Sequence, residues 1–384
     1  MKLSSHLPRR FRWAALVVAL MTLASALCLP LTAAAAPSVS AKSAVLIEAE
    51  TERVLYQKNA FVRLPMASTT KIMTALVAIG SGNIDRVVTI PPEATGIEGS
   101  SVYLYPDEKL TLRQLIYALL LESANDAATA IAIEVAGSVE DFAVLMNRKA
   151  AELGLTATHF MNPHGLDHEA HYTTAFDLAR IAAAALAEPV FRDICSTTRK
   201  TIPLKGDEGT RVLVNHNKML TQYEGAIGVK TGFTKKSGRC LASAAERDGL
   251  TLVAVTLCAP DDWDDHAAML DFGFARYERE SFADTGSLAL ELPVVGGTSG
   301  TVAVQNTEAL SALLSREHGT VTRRVEASRF LYAPVARGQI VGRVVYECDG
   351  VEIASSPLVA ASEVVSMRTE KQGFPAWLRR IFGG

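Results

Sequence analysis

Ser68 and Lys71 stand three residues apart in the stretch "LPMASTTKIMTALVAIG", residues 64–80, whose other side chains are apolar or hydroxyl-bearing. Lysine is seldom buried unless something compensates its charge. On a helix, residues three apart share a face, so this spacing aims the Ser68 hydroxyl and the Lys71 amine the same way. A serine hydroxyl is a poor nucleophile until a base removes its proton. Burial destabilises an ammonium group and lowers its pKa, and a neutral amine within hydrogen-bond reach can then serve as that base. The pair alone is weak evidence, because a lysine whose stem packs while its head reaches solvent has the same spacing. Two further polar groups lie downstream: Ser123-x-Asn125 in "ESAND", and Lys230-Thr231-Gly232 in "GVKTGF".

These groups need elements to position them. The run "SAVLIEAETERVLYQKNA" has two β-prone segments, 44–48 and 53–57, and reads as a hairpin. From about Thr69 the pattern is helical and apolar on nearly every side, the mark of a buried helix, with Ser68 at its mouth. A hairpin-like region, "DRVVTIPPEAT", leads into residues 96–104. Thr111 and Gln114 fit a capping box before a helix over 112–121. "ESAND" interrupts two apolar runs, so Ser123 and Asn125 fall at a helix junction. Helices are expected over 127–136, from Ser138 to about Leu153, and after Thr174 in "AFDLARIAAAALA". Strand signals return at 226–231, 239–245 and 250–258, with Asp248-Gly249 as a hairpin turn. Strands, then helices, then strands predict an α+β domain, an antiparallel sheet built from both ends of the segment with helices packed on it. This domain is expected over 37–277. Short alternating runs such as "GTVAVQN" and "GQIVGRVVYECDG" predict a small all-β domain over 284–368.

The formal net charge of −3 argues against a general nucleic-acid binder. No cysteine pair has close metal-ligand spacing, and His164, His168 and His171 form no HExxH pattern, so no metal is expected and the three histidines read as an ordinary polar loop. Residues 1–36 run basic, apolar, then small, the order of a secretory signal peptide, with cleavage expected after Ala35 or Ala36. Export leaves Cys195, Cys240, Cys258 and Cys348, whose wide spacing suits single buried residues at least as well as disulfides. The tail 371–384, "KQGFPAWLRRIFGG", mixes aromatic with basic residues, as amphipathic segments at a membrane surface do.

With the three groups in this order, the chain resembles the low-molecular-mass, penicillin-binding serine D-alanyl-D-alanine carboxypeptidases, a β-lactamase/transpeptidase-like fold. SxxK, SxN and KTG occur together in penicillin-binding proteins and class A β-lactamases. Flanking segments match too: "LPMASTTKIMTAL", "NPHGLD" (162–167), "TTAFDLA" (173–179) and "KTGFTKKSGRCL" (230–241). Ala124 departs from the commoner glycine or aspartate at the middle of the second motif. The resemblance implies acyl transfer with no cofactor, on a peptidoglycan stem peptide ending in D-Ala-D-Ala. It makes Ser68 the nucleophile and Lys71 its base. The backbone N–H groups of Ser68 and Phe233 become the oxyanion donors. Ser123 is implied to pass a proton to the departing D-Ala, and Asn125 to donate to a substrate carbonyl or to steady Lys71. Lys230 and Thr231 are implied to hold the terminal carboxylate, next to the slim Gly232. β-Lactams are implied as covalent inhibitors, and the outer face of the cytoplasmic membrane as the location. Two rivals remain: a serine β-lactamase, for which Glu188 is the nearest water-activating carboxylate, and a non-catalytic wall-binding protein of the same fold.

Overall fold

The computed structural model describes residues 36–205 and 208–367; the expected signal peptide and basic-aromatic tail lie outside them. Strands β1 (Ser43–Glu48) and β2 (Val54–Lys58) form the expected hairpin. One turn of 3-10 helix, Ala67–Thr70, runs straight into helix α1 (Lys71–Gly80). Strands β3 (Val87–Thr89) and β4 (Lys109–Thr111) then pair across the intervening segment. The hairpin-like stretch therefore does not fold on itself; its strand waits for a partner some twenty residues later. Helices α2 (Leu112–Leu121), α3 (Asn125–Ala136), α4 (Val139–Glu152), α5 (Ala175–Leu186) and α6 (Pro189–Ser196) follow. The Thr111–Gln114 capping box forms, and Thr174 Oγ1 accepts from the Asp177 N–H at 3.0 Å.

A hairpin of β5 (Arg199–Leu204) and β6 (Gly209–Val214) and the one-turn α7 (Met219–Gln222) lead to β7 (Ala226–Thr234), β8 (Gly238–Arg247) and β9 (Leu250–Leu257). Helix α8 (Asp262–Arg276) closes this part of the chain. The main sheet is antiparallel, in the order β2-β1-β9-β8-β7. Both ends of the segment supply its strands, as the strand–helix–strand order requires.

The two-residue period of a strand explains what each face holds. Val253, Val255 and Leu257 of β9 pack with the α1–α6 side chains, whereas Leu250, Leu252 and Ala254 pack against α8. In β8, Cys240, Ala242 and Ala244 face the first core and Leu241 and Ala245 the second. β7 pairs Lys230 with Ala242 and Gly232 with Cys240. Lys230 and Gly232 therefore point to the helical side, toward the turn that carries Ser68. Thr231 and Phe233, opposite Leu241 and Arg239, point to the α8 side at the open edge of the sheet.

The second unit is all β: six strands in the order β14-β16-β17-β12-β11-β15, beside the pair β10 and β13. Here β10 is Tyr277–Ala283, β11 Leu290–Val295, β12 Thr301–Asn306 and β13 Leu310–Ser315. The remaining strands are β14 Val321–Ala327, β15 Leu331–Tyr332, β16 Ile340–Cys348 and β17 Val351–Ala360. Strict alternation in β12 buries Val302, Val304 and Asn306. The stretch between the two expected domains, 278–283, belongs to β10. Contacts that tie the units together include Arg279 with Glu48 at 3.3 Å, the Arg53 guanidinium donating to Leu313 O at 3.3 Å, and Arg316 Nε donating to Phe274 O at 3.1 Å.

Candidate active site

Ser68 sits in the 3-10 turn and Lys71 opens α1, so the three-residue spacing is realised over one tight turn. Lys71 is fully buried. Its Nζ lies 2.9 Å from Ser68 Oγ, 2.7 Å from Asn125 Oδ1 and 2.7 Å from the His164 carbonyl oxygen. Burial holds its pKa well below the ordinary lysine range; the charge of Lys230 pushes the same way, and Asp126 opposes both. This direction gives the geometry its meaning. A neutral amine has two N–H donors and one lone pair. With the donors taken by Asn125 Oδ1 and His164 O, the lone pair is left facing the Ser68 hydroxyl.

Asn125 is pinned from several sides. Its Nδ2 donates to Glu98 O at 2.6 Å and its backbone N–H to Ser100 O at 2.7 Å. A Cβ on Gly99 would stand 2.8 Å from that Nδ2, so glycine is what lets this loop close over the amide. The side-chain carbonyl thus goes to Lys71, the contact through which Asn125 can steady that amine. The neighbouring Asp126, fully buried, holds the same loop by accepting from Ser101 Oγ at 2.6 Å and from the Leu104 N–H at 3.0 Å.

Ser123 has φ of +59°, a left-handed conformation uncommon outside glycine. That turn separates α2 from α3 and puts Ser123 in the wall of the cavity that contains Ser68. The cavity has a volume of about 410 Å³, and its wall also includes Thr231, Gly232 and Phe233. Lys230 is buried beneath it, its Nζ donating to Thr231 O at 2.9 Å, and burial lowers its pKa to about 7. Gly232 accounts for how closely β7 approaches the turn. A Cβ there would lie 2.9 Å from Ser68 N and 3.0 Å from Thr69 N, so only the absent side chain lets the strand reach the backbone of Ser68. All eight residues singled out in the sequence therefore converge on one place.

Three other contributors carry no motif in the sequence: the His164 carbonyl, Arg239 and His216. The His164 carbonyl takes one of the two Lys71 protons, and a backbone acceptor leaves no trace in residue type. Arg239 enters the cavity wall from β8, with its Nε 2.9 Å from Asp262 Oδ1 and its guanidinium 5.9 Å from the centre of the Trp263 ring. His216 joins the wall beside Ser123, 3.2 Å from Glu122. Glu188 is exposed at the start of α6 and lines no part of this cavity.

Comparison with known proteins shows the family. The sequence profile of the D-alanyl-D-alanine carboxypeptidases matches residues 31–261. The chain belongs to this family. A profile for the C-terminal domain of penicillin-binding protein 5 matches 277–366, the all-β unit. The D-alanyl-D-alanine carboxypeptidase DacF of Bacillus subtilis is 34% identical over 354 residues, 89% of each chain. The corresponding DacA of Escherichia coli is 31% identical over 345 residues, 85% of this chain and 84% of that protein. Penicillin-binding protein 5 of Haemophilus influenzae superposes with a TM-score of 0.70 at 28% identity, over 86% of this carboxypeptidase-family chain and 99% of that one. A Streptomyces K15 DD-transpeptidase superposes with a TM-score of 0.60 at 34% identity, over 62% of this chain and 99% of that one.

Proposed function

We propose how the converged residues divide the work of the family's reaction. The protein is a serine-type D-Ala-D-Ala carboxypeptidase that acts on peptidoglycan stem peptides. In the proposed sequence, Ser68 Oγ attacks the penultimate carbonyl carbon while its proton passes to the Lys71 amine. The carbonyl oxygen becomes an oxyanion and accepts from the Ser68 and Phe233 N–H groups, fixed donors that need no reorganisation. Ser123 relays a proton to the departing D-Ala nitrogen as the C–N bond breaks, leaving Ser68 esterified. Water then cleaves the ester, returning the Ser68 hydroxyl and the shortened peptide. Lys230, which the anionic terminal carboxylate favours in its protonated form, supplies positive charge near that group and Thr231 hydrogen-bonds it, which selects a free C-terminus. A β-lactam acylates Ser68 by the same steps, but its leaving group stays tethered to the adduct.

The observation that carries this reading is the Lys71 amine 2.9 Å from Ser68 Oγ, with two other acceptors on its remaining sides. The test is D-Ala release from a pentapeptide by wild type and by Ser68→Ala. Release by wild type only supports the assignment; equal release by both overturns it. The exposed position of Glu188 weighs against a class A β-lactamase, which needs a carboxylate beside the acyl-enzyme to activate water. A long-lived nitrocefin adduct supports the carboxypeptidase, and rapid nitrocefin turnover the β-lactamase.

Residues 1–36 are proposed to direct export, and the tail 371–384 to hold the enzyme at the outer face of the cytoplasmic membrane, with its apolar side in the headgroup region. Fractionation of cells carrying the full chain and a form truncated at residue 370 tests both. Loss of the membrane-bound fraction on truncation is expected; an unchanged distribution contradicts the tail's role.

A further inference from the structure

His171 is the member of the histidine-rich loop that the reaction leaves unexplained. It is 3% exposed and packs edge-on to Phe160, with ring centres 5.8 Å apart. Its Nδ1 accepts from the Met161 N–H at 3.0 Å. Nδ1 is therefore unprotonated, and the single ring proton of the neutral imidazole sits on Nε2. That atom lies 2.8 Å from Thr70 Oγ1. The Thr70 oxygen must then accept from His171, which leaves its own proton free to donate to Ala67 O, also at 2.8 Å. The chain of donors is directional and closed: Met161 N–H to His171, His171 to Thr70, Thr70 to Ala67.

Its end point is strained. Ala67 has φ of +48°, a left-handed conformation uncommon for a residue other than glycine. The residue after it is Ser68. Gly165 packs directly against the Ala67 carbonyl: a Cβ there would lie 1.9 Å from Ala67 O and 2.8 Å from Thr70 Oγ1. Thr70 and His171 are both essentially buried, so the chain works without competition from water. Burial lowers the His171 pKa to about 4, with the charges of His159 and His168 adding to the effect, so the neutral tautomer that the chain needs persists at neutral pH.

We infer that Thr70 and His171 are positioning residues for the reaction: their hydrogen bonds hold the left-handed Ala67 carbonyl, and through it set where the Ser68 hydroxyl and backbone N–H point. Neither touches substrate. The inference rests on Ser68 as the nucleophile, and acylation of the wild-type protein in the same experiment checks that premise separately.

The test compares Thr70→Val, which keeps the shape and removes the hydroxyl, with Thr70→Ser, which restores the donor. Both are made in the full chain, and acylation by benzylpenicillin is followed by intact-protein mass spectrometry beside D-Ala release. Misplacement of reacting groups by about an ångström costs on the order of 100-fold. Thr70→Val is therefore expected to acylate roughly 10- to 100-fold more slowly, with kcat reduced and KM little changed, while Thr70→Ser stays close to wild type. If Thr70→Val does not fold, His171→Gln, which keeps an N–H donor, is compared with His171→Leu, which has none; slower acylation by the leucine variant alone is expected. Equal acylation across either pair overturns the inference. So does a loss confined to thermal stability, with the folded fraction acylating at the wild-type rate.

Discussion

Gly232→Ala isolates the contact on which the proposed oxyanion geometry depends. The backbone of Gly232 is not in the left-handed region, so alanine brings no conformational strain and its effect is steric. The added Cβ would stand 2.9 Å from Ser68 N and 3.0 Å from Thr69 N, and ordinary van der Waals contact begins at 3.4 Å. The shortfall is about half an ångström. Both obstructing atoms are backbone, held in the 3-10 turn that leads into α1, and neither can rotate away. Either β7 retreats or the turn does, and in both cases the Phe233 and Ser68 N–H groups separate. Since an ångström of misplacement costs on the order of 100-fold, half of that predicts roughly a tenfold loss in acylation. Overpacking adds a stability cost of about 1–3 kcal/mol. Stopped-flow or mass-spectrometric measurement of benzylpenicillin acylation, beside thermal denaturation, separates the two effects. Acylation at the wild-type rate by a folded Gly232→Ala protein would falsify the claim that β7 and the Ser68 turn build the oxyanion site together.

Other perturbations follow from the same structure. Asn125→Ala removes one of two acceptors that orient the Lys71 amine and is expected to slow acylation roughly 10- to 100-fold with little change in KM; an unchanged kcat contradicts the pinned-base geometry. Arg211→Met leaves Glu108, which is fully buried and paired with Arg211, without its partner. It also frees the Val102 and Tyr103 carbonyls that Arg211 holds at 2.8 and 2.9 Å. A loss of about 3–5 kcal/mol in denaturant unfolding is expected, and a loss under 1 kcal/mol would sink the argument. Lys230 gives a pH dependence with a definite sign. Between about 7 and the ordinary lysine value of 10.5 the unfolded chain keeps a proton that the folded enzyme has released. Its contribution therefore makes stability rise with pH across that window, by at most about 1.4 kcal/mol per unit. Lys230→Met is expected to flatten that slope, and an unchanged slope contradicts the burial of an amine there.

The chemistry was legible because it is written in side-chain type and spacing. Ser68 with Lys71, Ser123 with Asn125, and Lys230 to Phe233 each carry a pattern that local structure preserves, and the three meet around one cavity. Helices with side-chain caps were equally readable, since Thr111 and Thr174 hydrogen-bond the backbone of their own first turns. What escaped has no such signature. The partnership of β3 with β4 joins two three-residue strands, too short to show a period. Helix α8 begins "DWDDH", whose polar start shows no apolar stripe, although acidic residues suit the positive end of a helix dipole. The β5–β6 hairpin is mostly exposed and offers no apolar stripe. The His164 carbonyl and the left-handed turn at Ala67 are backbone properties set by tertiary packing, and neither residue type announces them.

The central claim is that Lys71 meets Ser68 as a neutral amine. Nitrogen-15 NMR of the lysine side chains, with Lys71 assigned by comparison with Lys71→Met, measures this directly in the free enzyme. The account predicts a Lys71 Nζ midpoint well below 10.5, and an acylation rate that climbs with pH along the same titration. A Lys71 ammonium that persists to pH 10, in an enzyme that acylates normally at neutral pH, contradicts it.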